Sequence, residues 1–227
     1  MHTPPQPCVY CGGKTDLTRD HIPPKSLFNK PRPPLITVRA CRRCNSGFSR
    51  DDDYFWLTLA SRAETGANRE ALQASRRAIE NLARGEAGGF RKAFLASIQS
   101  VELRTPAGLY IGDALAYDVS FSRLNRVAAR ITKGLFAHVT GTPLPSNYSA
   151  TARALEGFTH DARDDVQRFI SFTAASPACS ISNVFSFRFR VLEDDPDASV
   201  CIFDVYETTA FLGLTLREND ISWAEKV

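Results

Sequence analysis

The sequence predicts an α+β protein in which a small N-terminal metal-binding module precedes a mixed domain of helices and antiparallel strands. Three observations support this prediction: two CxxC pairs near the N-terminus, an apolar stripe at helical spacing over residues 123–139, and alternating apolar residues over 181–216. A period of 3.6 residues is typical of an amphipathic helix, and a period of two is typical of a half-buried strand. We place the module in residues 1–60 and the second domain in residues 61–227.

The two CxxC pairs are Cys8 with Cys11 and Cys41 with Cys44. Each tight turn directs two sulfurs to one side, so two such turns can complete a tetrahedral zinc site. A redox role is disfavoured, because there are two pairs and no thioredoxin-like βαβ pattern surrounds them. A closed site of four thiolates stabilises structure and does not carry out chemistry, so we predict a structural zinc.

Basic residues are concentrated in the same part of the chain. Residues 1–50 contain nine Lys or Arg and two acidic residues, whereas the rest of the chain contains 19 basic and 23 acidic residues. A basic segment on a mildly acidic body is typical of a polyanion-binding surface, although a solvated surface explains it equally well. We name Lys25, Arg42 and Arg43 as candidate nucleic-acid contacts.

The chain shows neither an apolar run of eighteen residues nor a signal-peptide pattern at its start. We therefore expect no membrane association and a cytoplasmic location, where paired cysteines more often bind metal than form disulfides. The single cysteines, Cys179 and Cys201, lie in apolar, strand-like segments. We expect both of them to be buried.

Between the two CxxC turns, which are called knuckles, we predict a short strand over residues 17–22. It ends at Pro23 and Pro24, since proline cannot donate to a sheet ladder. A second strand over 35–38 leads to the second CxxC pair. A helix follows, and Ser49 with Asp52 resembles a capping box at its start. The order is strand, loop, strand, knuckle and helix.

The remaining chain predicts an α+β domain. Arg126, Arg130 and Lys133 form a basic stripe on the predicted helix over residues 123–139, and we expect that stripe to be solvated. The other elements are helices over 66–83 and 88–99, two strands between 101 and 121, and strands over 181–192, 200–206 and 209–216.

The stretch DHIPPKSLF, lying between the CxxC pair at 8–11 and CRRCN at 41–45, resembles the HNH endonuclease family. The resemblance covers residues 8–60 and implies the ββα-metal fold of that family, with a structural zinc. It also implies that Asp20 and Asn45 are ligands of a catalytic divalent metal and that His21 is the general base. The residue types agree with this chemistry, because imidazole is a base near neutral pH and oxygen ligands suit Mg²⁺ or Mn²⁺.

Two departures from the family pattern concern the residues around His21. Many members have a middle Asn that orients the base; here that position falls near Ile36, with Asn29 as the nearest substitute. Many members also place a further His on the helix as a metal ligand, where this chain offers only Asp51, Asp52 and Asp53 as candidates. Acidic residues at a helix start are more often explained by the helix dipole.

The sequence thus favours a metal-dependent HNH endonuclease acting on DNA. The alternatives are a non-catalytic, zinc-stabilised nucleic-acid-binding module and an HNH nuclease acting on RNA. The second domain is left without a specific role, and it can position substrate, bind another protein or form a homo-oligomer.

Overall fold

The computed structural model describes residues 6–83, 93–158 and 162–220. The chain divides into two compact units, one of Met1–Ala74 with Phe121–Val227 and one of Ser75–Ser120. The boundary predicted at residue 60 lies inside the first unit. Helices and antiparallel sheets make up both units, so the predicted α+β class is confirmed.

The N-terminal part of the first unit is a two-stranded antiparallel sheet followed by helices. Strand β1 (Leu17–Ile22) pairs with β2 (Ile36–Cys41) in a register that sets Asp20 opposite Val38 and His21 opposite Thr37. Pro23 and Pro24 follow the end of β1, as predicted, and the connection to β2 then contains a short 3-10 helix (Lys25–Leu27).

Two helices follow β2 directly: α1 (Arg42–Gly47) and α2 (Ser49–Ala60). The sequence predicted a single helix here with a capping box at Ser49. That detail was wrong, because Phe48 is the capping position and no side chain caps the helix start. A 3-10 turn (Ala63–Ala67) comes next, and α3 (Arg69–Ala83) begins after Asn68, whose Oδ1 accepts the Ala71 amide.

The centre of the first unit is the long helix α4 (Phe121–Thr140), which packs on α2, on β2 and on a five-stranded antiparallel sheet. The strands of this sheet are β5 (Tyr148–Ala154), β6 (Cys179–Ile181), β7 (Phe185–Val191), β8 (Ser199–Val205) and β9 (Thr209–Arg217). Their order in the sheet is β5-β9-β8-β7-β6. Helix α5 (Arg163–Ala174) covers part of β7 and β8.

Aromatic side chains form much of the core between this sheet and the helices. Phe203 stacks on Phe211 with ring centroids 5.1 Å apart, and Phe211 contacts Phe55 of α2 at 5.5 Å. All three are fully buried. Alternation along β7 places Phe185 and Phe187 on the buried face, in agreement with the alternating apolar pattern that predicted a strand over 181–192. Cys201 is buried as expected, but Cys179 is exposed in the short strand β6.

The second unit contains the antiparallel pair β3 (Gln99–Arg104) and β4 (Tyr110–Ala116), as predicted. Of the helix predicted over 88–99, residues 88–92 lie outside the described residues, residues 93–96 are helical, and Gln99 already begins β3. Among the residues described, no helix combines the length and the apolar character that crossing a bilayer requires.

Candidate functional site

Four cysteines gather at one end of the β1–β2 sheet. The sulfurs of Cys8, Cys11, Cys41 and Cys44 all lie within 4.8 Å of one another, and those of Cys11 and Cys41 are 3.7 Å apart. A zinc ion about 2.3 Å from each of four sulfurs requires sulfur separations of about 3.8 Å. The cluster can therefore hold a metal such as zinc, as the paired CxxC motifs predicted.

Backbone hydrogen bonds fix the first knuckle to the sheet. The Gly12 amide donates to the Cys8 carbonyl at 2.8 Å, and Gly12 adopts a positive φ of 73°, where a side chain would be strained. The Val9 amide donates to the Arg39 carbonyl of β2 at 2.9 Å. The first of these bonds closes the CxxC turn, and the second holds that turn against β2.

The thiols of Cys8 and Cys44 differ in how readily they lose a proton. Burial acts to raise the pKa of Cys8, but backbone hydrogen bonds with Cys41, Tyr10 and Cys11 outweigh it and lower that pKa to about 7. Burial and the neighbouring thiols raise the pKa of Cys44. Because thiolates are the ligands of zinc, a bound cation is what allows the whole cluster to deprotonate.

Strand β1 directs neighbouring residues to opposite faces. Asp20 and Ile22 point inward and are buried, whereas Arg19 is exposed and His21 is half-buried on the other face. The opposing strand alternates in step, with Val38 buried and its neighbours exposed. The structure therefore separates the imidazole of His21 from the carboxylate of Asp20 by the strand itself.

His21 has the electrostatic surroundings of a neutral imidazole. Partial burial lowers its pKa below the ordinary 6.5, and the charges of Lys25 and Arg32 lower it further, against the opposing effect of Asp20. The ring is therefore mostly uncharged at neutral pH and can accept a proton. Asn29, the substitute considered for orienting it, instead donates to the carbonyl and the carboxylate of Glu70.

Asp20 is surrounded by donors. One carboxylate oxygen accepts from the Tyr10 hydroxyl at 2.8 Å and from Arg130 at 2.5 Å, and the other accepts the His21 amide at 2.9 Å. Burial, together with the charge of Asp20, raises the pKa of Tyr10, so its hydroxyl remains a donor.

Arg130 of α4 makes the central contact of this buried group. It is only 6% exposed, and it donates both to Asp20 and to the two oxygens of Asp52 on α2, at 2.8 and 3.0 Å. Its guanidinium also faces the rings of Phe48 and Tyr10 at 4.7 and 5.4 Å. One buried cation thus joins β1, α2 and α4.

The expectation that the basic stripe on α4 is solvated was therefore wrong at Arg130. Lys133 also turns inward, donating to the Tyr10 carbonyl at 3.2 Å, whereas Arg126 stays largely exposed and pairs with Asp51. A signal for Arg130 was present in the sequence, since it lies three residues after Val127 on the apolar side of the helix. Its acidic partners, far away along the chain, were not identifiable.

Asn45 lies on α1 beside the outer edge of β1. Its side-chain amide nitrogen donates to the Thr18 hydroxyl at 2.9 Å and to the Arg19 carbonyl at 3.1 Å.

Arg130 occupies the position beside Asp20 that a divalent cation would need. A cation bound to the Asp20 carboxylate would meet the Arg130 guanidinium, which already donates to that carboxylate. As placed, these side chains do not fit a divalent cation at Asp20, and the prediction of Mg²⁺ or Mn²⁺ rests on the family resemblance alone.

The remaining candidates are on the surface or in ion pairs. Lys25, Arg42 and Arg43 are exposed, as nucleic-acid contacts must be. On α2, Asp51 bridges Arg123 and Arg126, and Asp53 is exposed. None of the three acids at the start of α2 joins a metal-binding group among the residues that the structure describes.

No family model, no curated protein and no solved structure matches the chain. The site is therefore defined by its own geometry: a four-cysteine centre, an outward imidazole in basic surroundings, and an inward carboxylate held by arginine.

Proposed function

We propose that the protein is an HNH-type endonuclease that hydrolyses phosphodiester bonds in DNA, with His21 as the general base. The observation that carries the proposal is the position of His21, on the outer face of a two-stranded sheet, with basic residues around it and a lowered pKa. The resemblance of residues 8–60 to the HNH pattern supplies the reaction class.

The chemistry assigned to His21 follows from its surroundings. A neutral imidazole takes the proton from water as the water oxygen bonds to phosphorus, a contribution of about 10²–10⁴ in rate for a well-placed base. The bond from phosphorus to the leaving sugar oxygen breaks in the same step, and that oxygen takes a proton from solvent. Lys25 and Arg32 offer positive charge close to the ring. Their charges attract the anionic phosphodiester and stabilise the additional charge that develops on it.

We assign zinc to the four cysteines and a purely structural role to that ion. Support comes from the sulfur separations and from the closed ligand set, which leaves no position for substrate. The centre lies at the end of the strand that carries His21, so its function is to hold that strand in place.

The resemblance further predicts that Asp20 and Asn45 bind Mg²⁺ or Mn²⁺. For Asp20 to bind a divalent cation, its carboxylate must first lose the hydrogen bond from Arg130. The role assigned to His21 does not depend on such a cation, and cleavage assays with and without divalent metal test whether one is required.

The ion pair of Asp20 with Arg130 favours one alternative, a zinc-stabilised module that binds nucleic acid without cutting it. In such a module the acidic residue of the DH pair is structural, and the exposed basic residues are the functional ones. A third reading, cleavage of RNA, differs only in substrate.

The test incubates purified full-length protein with supercoiled plasmid and, separately, with an RNA transcript, each with Mg²⁺, with Mn²⁺ or without added divalent metal. His21→Ala is compared with His138→Ala, which removes an exposed histidine elsewhere on the first unit. We expect nicked or linear plasmid from wild type and His138→Ala, and at least ~100-fold slower conversion by His21→Ala.

Equal cleavage by wild type and His21→Ala would remove the assigned base. Cleavage of the transcript but not of the plasmid would favour the RNA alternative. Plasmid binding in a gel-shift assay without cleavage under any metal would favour the non-catalytic module.

A further inference from the structure

The outer face of the β1–β2 sheet places two arginines directly opposite each other. Arg19 of β1 and Arg39 of β2 are register partners, and both are exposed. The backbone carbonyl of each arginine points away from the partner strand, since the Arg39 carbonyl accepts the Val9 amide and the Arg19 carbonyl accepts the side-chain amide of Asn45. The two arginines therefore form the closer, non-hydrogen-bonded type of pair, with Cα atoms about 4.5 Å apart.

Like charges directly opposite one another destabilise a sheet. Within residues 6–83, 93–158 and 162–220, neither guanidinium makes a hydrogen bond or an ion pair. Other arginines of the first unit are paired with carboxylates, including Arg62 with Glu156 and Arg123 with Asp51. The pair at positions 19 and 39 is thus a repulsive arrangement that the fold maintains without compensation.

Two aligned guanidinium groups suit a phosphate oxygen pair, because each offers a planar fork of donors. The next register pair on the same face is His21 with Thr37, about 7 Å further along the strands. An anion held by the arginines would lie beside the proposed base. Arg42 and Arg43 follow the end of β2 and extend the basic surface.

We propose that Arg19 and Arg39 together bind a backbone phosphate of a nucleic-acid strand that passes over His21. This assignment rests on the proposed function for its ligand class and adds two residues that the family pattern did not indicate. A phosphate contact positions a strand but does not read its sequence, so the pair directs the strand without selecting a base.

The test measures binding of the full-length protein to a fluorescein-labelled 20-base-pair duplex by anisotropy, from 50 to 200 mM salt and without added divalent metal. Arg19→Gln/Arg39→Gln is compared with Arg163→Gln/Arg168→Gln, which removes two exposed arginines from α5 and changes the net charge equally. We expect the first variant to bind at least ~10-fold more weakly, with a salt slope lower by about 1 because one phosphate contact is lost, and the control to bind like wild type.

Thermal unfolding separates a lost contact from a lost fold. Because the substitution removes a repulsion, the Tm of Arg19→Gln/Arg39→Gln should equal or exceed that of wild type. Equal affinity and equal salt slope in the two double variants would overturn the phosphate site, as would a wild-type protein that does not bind the duplex at 50 mM salt.

The outcomes keep this assignment separate from the nuclease proposal. Binding that depends on both arginines, in a protein that cuts no substrate, supports the phosphate site and removes the enzyme. Plasmid cleavage that is unchanged in Arg19→Gln/Arg39→Gln supports the enzyme and removes the phosphate site.

Discussion

Arg130 shows how a single residue sets the inner face of the candidate site. Its side chain is 4% exposed and lies between two carboxylates, those of Asp20 and Asp52. Removing one member of a buried ion pair leaves the other charge without compensation, and that cost exceeds the small net stabilisation of the intact pair.

We predict that Arg130→Met lowers the free energy of unfolding by about 3–5 kcal/mol. Arg126→Met on the same helix removes a largely exposed cation, and it should cost about 0–1 kcal/mol. Urea denaturation of both variants at pH 7 provides the comparison. Similar midpoints for the two variants would show that the buried network does not stabilise the fold.

The pH dependence of the Arg130→Met effect has a definite sign. Burial raises the pKa of Asp52 to about 6, and Arg130 acts against that rise. Without Arg130 the pKa rises further, so the folded variant binds a proton more tightly than the unfolded chain does. The difference in stability from wild type should therefore shrink as the pH is lowered from 7 to 5.

At the scale of elements, α4 approaches its neighbours through positions without side chains. A Cβ at Gly134 would lie 2.5 Å from Cδ1 of Ile22 in β1, and one at Gly213 of β9 would lie 2.2 Å from Oγ1 of Thr132 in α4. Ile22 is 1% exposed and Thr132 is fully buried, so neither has free space to move into. These glycines allow the helix to contact both sheets.

Gly134→Ala should therefore destabilise the protein, although alanine normally stabilises a helix interior by about 0.5–1 kcal/mol relative to glycine. We expect a net loss of about 1–3 kcal/mol from overpacking against Ile22. Gly47→Ala in α1 is the control, because a Cβ there meets nothing within 4 Å. Thermal or urea unfolding that ranks Gly134→Ala with the control would contradict the close approach.

Local periodicity explains which elements the sequence predicted. Thr209–Arg217 is mostly apolar, and Phe121–Thr140 has a continuous apolar stripe. Leu17–Ile22 was recognised instead from the two prolines that end it. Tyr148–Ala154 was missed because its inward positions are mostly alanine, a weak strand signal.

At the scale of the whole molecule, the metal centre and the two isolated cysteines predict a distinct pattern of thiol reactivity. Of the six cysteines, Cys179 is exposed and outside the cluster. Cys201 is fully buried, and burial raises its pKa to about 12. The other four should be shielded as metal ligands.

We expect a thiol reagent to modify only Cys179 rapidly in the native protein. All six cysteines should react after denaturation with a chelator present, with about one zinc released per chain. Cys41→Ser should lower both the zinc content and the Tm, because metal binding contributes folding free energy. Five rapidly reacting thiols in the native protein, or a folded Cys41→Ser variant with an unchanged Tm, would exclude a structural metal.

The candidate site was predictable only where its parts are local in sequence. The four cysteines are recognisable from two CxxC spacings, and the strand containing His21 from the two prolines that end it. The pairing of Asp20 with Arg130 joins positions 110 residues apart, so no local pattern could indicate it. The opposition of Arg19 and Arg39 likewise depends on the pairing of two strands across a proline-rich loop.

The alternation of side chains along β1 makes the pairing register of β1 with β2 important. A shift of one residue would turn Arg19 and His21 towards the interior and Asp20 towards water, exchanging every role at once. Val9, bonded to Arg39, and Arg42, whose amide donates to Asp16, tie both knuckles to the strands and oppose such a slip. By fixing this pairing, the four-cysteine centre determines which of two adjacent side chains, Asp20 or His21, faces outward from the sheet.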